Sequence, residues 1–200
     1  MTKPLWNCVT PGIPDELFER LPGIPMSKCE VRLLILGHLR LRSQDVFWDI
    51  GAGTGTIPVE VGMLCPDVAV VAIERDEDVA ELIGRNCDRF GVRNVRIING
   101  SAPECLEDLQ PDPHCICVEG GRSIKEILEF CWQRLVVGGR VVVTTTTLEG
   151  LYSTSECFAQ LCVRHVQVVQ SAVNRLETRG NRQTFAAVNP MFLLCGDKVD

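Results

Sequence analysis

The sequence has no run approaching the roughly 18 apolar residues that a membrane-spanning helix requires, and its first residues lack a signal-type apolar stretch. A cytoplasmic chain without a membrane partner is therefore expected. It also lacks a basic excess: 20 Lys and Arg stand against 26 Asp and Glu, for a formal charge of −6. General nucleic-acid binding is disfavoured, because phosphate contacts need a basic surface, although a local patch for an anionic small molecule remains open. There is no CxxC pair despite eleven cysteines. The count is odd and nothing points to an oxidising compartment, so neither a disulfide framework nor a metal site is expected. Cys115 and Cys117, the closest pair, would share one face of a strand, while Cys29, Cys65, Cys87, Cys131, Cys157 and Cys162 fall in helical patterns as small buried hydrophobes. His38, His114 and His165 are isolated from one another and read as structural. No internal repeat or low-complexity tract appears.

What is present is an ordinary globular balance, 46% hydrophobic and 23% charged over 200 residues, enough for one domain with a sizeable core. From Asp45 onward, short apolar runs alternate with helical patterns, which predicts a parallel sheet with crossover helices. Strands are expected at 45–50, 68–73, 94–98, 114–118 and 140–145. A final antiparallel pair is expected near 166–172 and 184–195. The fold class is α/β: a doubly wound, mostly parallel, seven-stranded sheet. Helices are expected over 56–64, from Asp76 (a cap) to a Gly91 stop, from Ser123 to about Leu135, and over 153–163. Ser27-Lys28-Cys29-Glu30 and Ser123-Ile124-Lys125-Glu126 both match the capping box. The first would open a helix that buries Val31, Leu34, Ile35 and Leu39. Residues 1–42 are thus an N-terminal extension with a helix, and 43–200 the sheet domain.

Between the first strand and its helix stands Asp49-Ile50-Gly51-Ala52-Gly53-Thr54-Gly55. Glycines after a strand permit a tight turn and a close approach of backbone N–H groups to a ligand beyond the strand's carboxyl end. The acidic-x-Gly-x-Gly-x-Gly order differs from the Gly-x-Gly-x-x-Gly that offers a helix N-terminus to pyrophosphate. Asp49 would repel phosphate but suits the cationic amino and sulfonium groups of S-adenosylmethionine. Glu74 ends the second strand, where a carboxylate accepts ribose hydroxyls in such folds, and Arg75 follows it. After the third strand, Ser101 and Ala102 occupy the adenine position, offering a hydroxyl and an N–H. The cofactor candidates are therefore Asp49, Gly51, Ala52, Gly53, Thr54, Gly55, Glu74, Arg75, Ser101 and Ala102. On the residues alone, other Rossmann-like class I methyltransferases, and a non-catalytic adenosyl-binding module, stay open.

Several stretches narrow this. Gly12–Phe18, Pro25–Arg32, Trp48–Gly55, Ala72–Arg75, Ala102–Glu104 and Asn189-Pro190 resemble the decarboxylating precorrin-6B C15-methyltransferases of cobalamin biosynthesis, over about residues 12 to 196. The Pro-Met-Ser-Lys stretch and the late Asn-Pro are the more specific parts. One departure is Val118-Glu119-Gly120-Gly121-Arg122-Ser123, where the family often has a Gly-Gly-Ser-Gly-Gly-like loop. The resemblance implies methylation of C15 of a corrin precursor with loss of CO2 from the C12 acetate, and a homotetramer.

The substrate so implied carries many carboxylates, which arginine reads bidentately. Arg122, Arg175, Arg179 and Arg182 are its candidates, the last three in the one dense basic stretch. Thr144 offers a hydroxyl at the end of the fifth strand. Pro25, Met26, Ser27 and Lys28 are expected to roof the ring. Decarboxylation calls for a proton, and Glu119, at the end of the fourth strand, is the candidate catalytic residue.

Overall fold

Apolar runs that are covered on both faces set the sheet. In the computed structural model, which describes residues 5–121 and 123–200, a 3-10 turn (Asp15–Leu17) leads to helix α1 (Cys29–Leu39). Five strands and four helices follow: β1 (Val46–Ile50), α2 (Thr56–Leu64), β2 (Ala69–Glu74), α3 (Glu77–Phe90), β3 (Val95–Asn99), β4 (Cys115–Glu119), α4 (Ile124–Arg134), β5 (Arg140–Thr145) and α5 (Leu148–Gln160), with only a 3-10 turn (Glu104–Leu106) between β3 and β4. The chain ends with β6 (Arg164–Ser171), β7 (Asn174–Arg179), β8 (Arg182–Ala187) and β9 (Met191–Asp197). Every residue of β1 is buried, and alternate side chains serve opposite faces, as the pleat requires. Phe47 joins Val31, Ile35 and Leu39 of α1 and Ile57 and Val61 of α2. Trp48 joins Ile127 and Leu128 of α4 and Phe158 of α5. Burying each of the three α1 side chains is worth about 1.5–3 kcal/mol, so the N-terminal helix is held by the same core as the sheet.

The seven-stranded sheet runs β3-β2-β1-β4-β5-β9-β6. Neighbours from β3 through β5 are parallel, and β9 lies antiparallel between β5 and β6. The strand order reverses between β1 and β4, and ligands of such sheets bind in the crevice beyond the carboxyl ends at that point. The doubly wound architecture matches the sequence expectation. Asp76 caps α3 by accepting the Val79 N–H, and Gly91 ends that helix at φ +73.

Three local expectations are corrected. The run 184–195 is not one strand. It breaks at Asn189-Pro190, because Pro190 has no N–H for a ladder, and its first part pairs with β7 in a separate hairpin. The dense basic stretch is that hairpin, turning at Gly180 (φ +60) and Asn181. Helix α5 begins at Leu148 rather than Ser153, since the Thr147 side chain accepts the Gly150 N–H at 3.0 Å. Neither capping box forms. Lys28, not Ser27, is the N-cap of α1, and Ser123 flanks α4 without a side-chain bond. The first N–H of α1, that of Cys29, donates to Asp15 Oδ1 at 3.0 Å.

All eleven cysteines are unpaired. Burial pushes the Cys115 and Cys131 thiols up to about 12 and those of Cys87 and Cys157 up to about 11, so these groups stay protonated. Among the described residues no helix is long and apolar enough to cross a membrane.

Candidate functional site

The loop after β1 is shaped by its glycines. Gly51, Gly53 and Gly55 have φ of +79, +52 and +78, a region that other residues enter only with strain. The N–H groups of Gly51 and Ala52 both reach the Ile73 carbonyl, at 3.0 and 3.1 Å, which pins the loop to the end of β2. A Cβ at Gly55 would stand 2.9 Å from Ile83 Cγ2, so glycine there lets α3 pack against the loop. A Cβ at Gly53 would point to the Pro25 carbonyl, 3.5 Å away. Thr54 is buried, and its hydroxyl donates to that same carbonyl at 3.0 Å. Its side chain therefore holds the Pro25–Lys28 segment rather than lining the crevice.

Glu74 leans over the loop. One carboxylate oxygen accepts the Gly53 N–H at 3.1 Å and the other the Asp76 N–H at 3.2 Å. A carboxylate has about four acceptor positions, so two backbone donors fix it and leave capacity on both oxygens. Arg75 is exposed beside it. Asn99, which sequence reasoning passed over, donates to the Glu74 and Arg75 carbonyls at 3.1 Å each and ties the ends of β2 and β3 together. Ser101 is exposed two residues further on, and Ala102 is half-buried against the apolar cluster beneath.

Asp49 lies under the loop, fully buried, opposite Cys117 in the β1–β4 ladder, and neither carboxyl oxygen has a hydrogen-bond partner. Burial holds its acidity far weaker than a normal carboxyl, and the charges of Glu119 and Glu74 act in the same direction. Glu119 ends β4, paired with Thr144 of β5. Its carboxyl accepts a hydrogen bond from the Ser27 hydroxyl. Burial pushes Glu119 up to about 7; the Ser27 bond and the Arg32 charge oppose that rise, and the Glu74 charge adds to it. Thr144 is buried, and its carbonyl accepts the Gly120 N–H at 3.0 Å, which shapes the turn after Glu119.

The Pro25–Lys28 segment thus touches the glycine loop through the Pro25 carbonyl and Glu119 through the Ser27 hydroxyl. It is anchored by Arg32, which is fully buried. Arg32 donates to Glu60 Oε1 and Asp15 Oδ1 at 2.8 Å each, and to the Ser27 carbonyl at 2.7 Å. Glu60 in turn accepts the N–H groups of Gly12 and Ile13. Pro25 is exposed, Met26 packs against the apolar cluster that includes Ala52 and Ile83, and the Lys28 ammonium stands 4.0 Å from Asp15.

The arginine candidates separate. Arg175, expected as a substrate ligand, is engaged within the chain: Asp15 and Glu30 hold its guanidinium, and these partners hold its proton more tightly still. Arg179 is exposed beside Glu177 at 3.0 Å, and Arg182 is exposed across the turn. Arg122 lies outside the described residues.

At the opposite, amino-terminal edge of the sheet is a cleft of about 330 Å3 lined in part by Arg40, His114, Arg140, His165 and Lys198. Most of its charged groups are engaged in structure. Arg140 pairs with Asp197, His165 contacts the same carboxylate, His114 accepts the Val46 N–H, and Lys198 caps the carbonyls that end α4. None of this touches the glycine-loop crevice.

A family profile described as precorrin methyltransferase domain matches residues 18–196. The chain is 36% identical over 191 residues to a probable cobalt-precorrin-6B C(15)-methyltransferase (decarboxylating) of Pyrobaculum calidifontis, covering 94% of this chain and 97% of that protein. Among solved structures it superposes on a precorrin-6Y C5,15-methyltransferase from Geobacter metallireducens with a TM-score of 0.88 at 31% identity, covering 96% of this chain and 100% of that one. A precorrin 8W decarboxylase from Methanobacterium thermoautotrophicum gives a TM-score of 0.85 at 31% identity, over 92% and 98% of the two chains.

Proposed function

The chain belongs to the precorrin methyltransferase family, and from that premise we propose that it methylates C15 of a precorrin-6B-type ring, with or without cobalt, and releases the C12 acetate carboxyl as CO2. The observation that carries the reading is a single crevice, at the β1–β4 reversal, where the glycine loop and Glu74 meet a carboxyl that titrates near neutral pH, Glu119.

The residues fit an adenosyl cofactor. Glu74, fixed by two backbone N–H groups, retains acceptor positions for two ribose hydroxyls. The orphaned Asp49 carboxyl beneath the loop suits a nearby cation, whose field favours its ionised form. Ser101 and the Ala102 N–H, which follow β3, are the candidates for the adenine edge. S-adenosylmethionine, when bound, supplies a methyl group on a sulfonium that is already activated toward carbon. The protein's task in that step is alignment. Loss of CO2 leaves an electron pair that the conjugated ring absorbs, and carbon then needs a proton. Glu119, with its raised pKa, holds one at neutral pH and stands at the crevice floor.

Residues 1–42 act as the substrate-side cover, with Pro25–Lys28 as its roof. Arg179 and Arg182 meet substrate carboxylates at the rim. A homotetramer agrees with apolar side chains left uncovered on β6 (Val166, Val168) and on the hairpin, where Leu176 and Phe185 face each other across the strands. Incubation with methyl-labelled S-adenosylmethionine and the precorrin precursor tests the activity. Labelled, decarboxylated product is expected, and its absence, with CO2 release also absent, refutes the proposal.

A further inference from the structure

Arg175 stands on β7, in the hairpin outside the main sheet, yet its contacts lead to the crevice. Its Nε donates to Glu30 Oε1 at 2.8 Å and its Nη1 to Asp15 Oδ2 at 2.9 Å. The other Asp15 oxygen accepts Arg32 Nη1 at 2.8 Å, and the same nitrogen reaches the Ser27 carbonyl at 2.7 Å. The Ser27 hydroxyl is on Glu119. Hydrogen bonds, joined through the covalent frame of Ser27, thus connect the hairpin to the carboxyl at the crevice floor. Arg32 already has Glu60 as a counter-charge at 2.8 Å. Asp15 is therefore not required to neutralise Arg32; besides accepting the Cys29 N–H at the start of α1, its two oxygens join the two guanidinium groups.

We propose that Asp15 and Arg175 are positioning residues for Glu119: through them the hairpin fixes the Ser27 hydroxyl against that carboxyl. The proposal rests on the reading of Glu119 as the proton donor only for its catalytic consequence. Among the described residues, the groups that face Glu119 are Ser27 from the roof segment, Arg32 of α1, Asp49 of β1, Glu74 of β2 and Thr144 of β5. Of these, only Ser27 donates a hydrogen bond to the carboxyl, and a hydroxyl donor stabilises the ionised form. Freeing the roof segment therefore raises the pH at which Glu119 loses its proton.

The test titrates the Glu119 carboxyl by infrared difference spectroscopy on the whole protein without substrate, with the band identified by its loss in Glu119→Gln. Ser27→Ala should move the midpoint up by about one to two pH units, the equivalent of one charge-assisted hydrogen bond. Arg175→Met should move it the same way by a smaller step, and Arg175→Lys should recover part of it. If Arg175→Met does not fold, Glu30→Gln, which loosens the same guanidinium but leaves Asp15 and Arg32 in place, gives the readout. A shift in Ser27→Ala with none in the Arg175 or Glu30 variants overturns the proposal. Glu119→Gln that still releases CO2 at the wild-type rate overturns only the reading of Glu119 as proton donor.

Discussion

Replacing Glu119 by Gln removes one titration while preserving shape, and the consequence for stability follows from the environment of the carboxyl. Burial raises it from 4.5 to about 7 in the folded chain. Unfolded, it returns to the ordinary value. Between those two pH values the folded state holds a proton that the unfolded state has released, so stability falls as pH rises. The contribution is fully present below pH 4.5 and is lost as pH passes through about 7. At about 1.4 kcal/mol per pH unit, this span amounts to about 3 kcal/mol. Glu119→Gln lacks this loss. Urea unfolding of both proteins across the window should give a stability difference, variant minus wild type, that grows by about 3 kcal/mol from the acid to the alkaline end. Asp49 titrates in both proteins, but the Glu119 charge is one cause of its raised pKa, so the variant relieves Asp49 as well and the difference widens in the same sense. Parallel curves would refute the reasoning, since Glu119 would then ionise as an exposed carboxyl does.

Other outcomes can be checked separately. Glu74→Ala should weaken S-adenosylmethionine binding by about 1.5–3 kcal/mol, roughly ten- to over a hundredfold, and Gly53→Val should also weaken it by blocking the loop; calorimetry with unchanged affinity in both rejects the cofactor site. Because burial raises the Asp49 pKa in the free protein and a bound cation lowers it, cofactor binding should release a proton, and tighten as pH rises, in the window between the two. Titration in buffers of different ionisation heat should detect that proton in wild type and not in Asp49→Asn. Arg179→Ala with Arg182→Ala should raise KM for the ring severalfold, about 0–1 kcal/mol per exposed contact, and leave cofactor affinity alone; an unaltered KM removes both from the rim. Asp15→Ala should cost about 3 kcal/mol, because it breaks a buried ion pair and uncaps α1, whereas Ser27→Ala should cost about 1 kcal/mol or less; denaturation midpoints in the reverse order would restore Ser27 as the cap.

The parts of the fold that sequence revealed are those where neighbours along the chain decide the outcome. Val68 to Ile73 reads as a strand because burial on both faces leaves no polar alternation, and β2 runs one residue behind it. Asp76 reads as a cap because its partner is the N–H three residues on. Glycines at 51, 53 and 55 declare their turn for the same local reason. The hairpin also had a local signal, Gly180-Asn181 between two extended runs, but reading a strand through Asn189-Pro190 hid it. Other features had no local signal. Arg175 reads as a free cation until the topology brings it to Glu30 and Asp15, 145 and 160 residues away in sequence. The box at 27–30 shows the competition most directly. Its Ser and Glu have the spacing for a reciprocal cap, yet the Ser27 hydroxyl goes to Glu119 and the Glu30 carboxylate to Arg175. A cap bond to a neutral backbone N–H is weaker than a hydrogen bond with an ionised partner, so the Arg175 guanidinium wins the Glu30 carboxylate, while the Ser27 hydroxyl is taken by a carboxyl brought beside it by the sheet. The N–H of Cys29 left over is then taken by Asp15, a carboxylate that Arg32 has already drawn to the same corner. Local pattern therefore located the start of α1 to within a residue or two while misassigning what holds it.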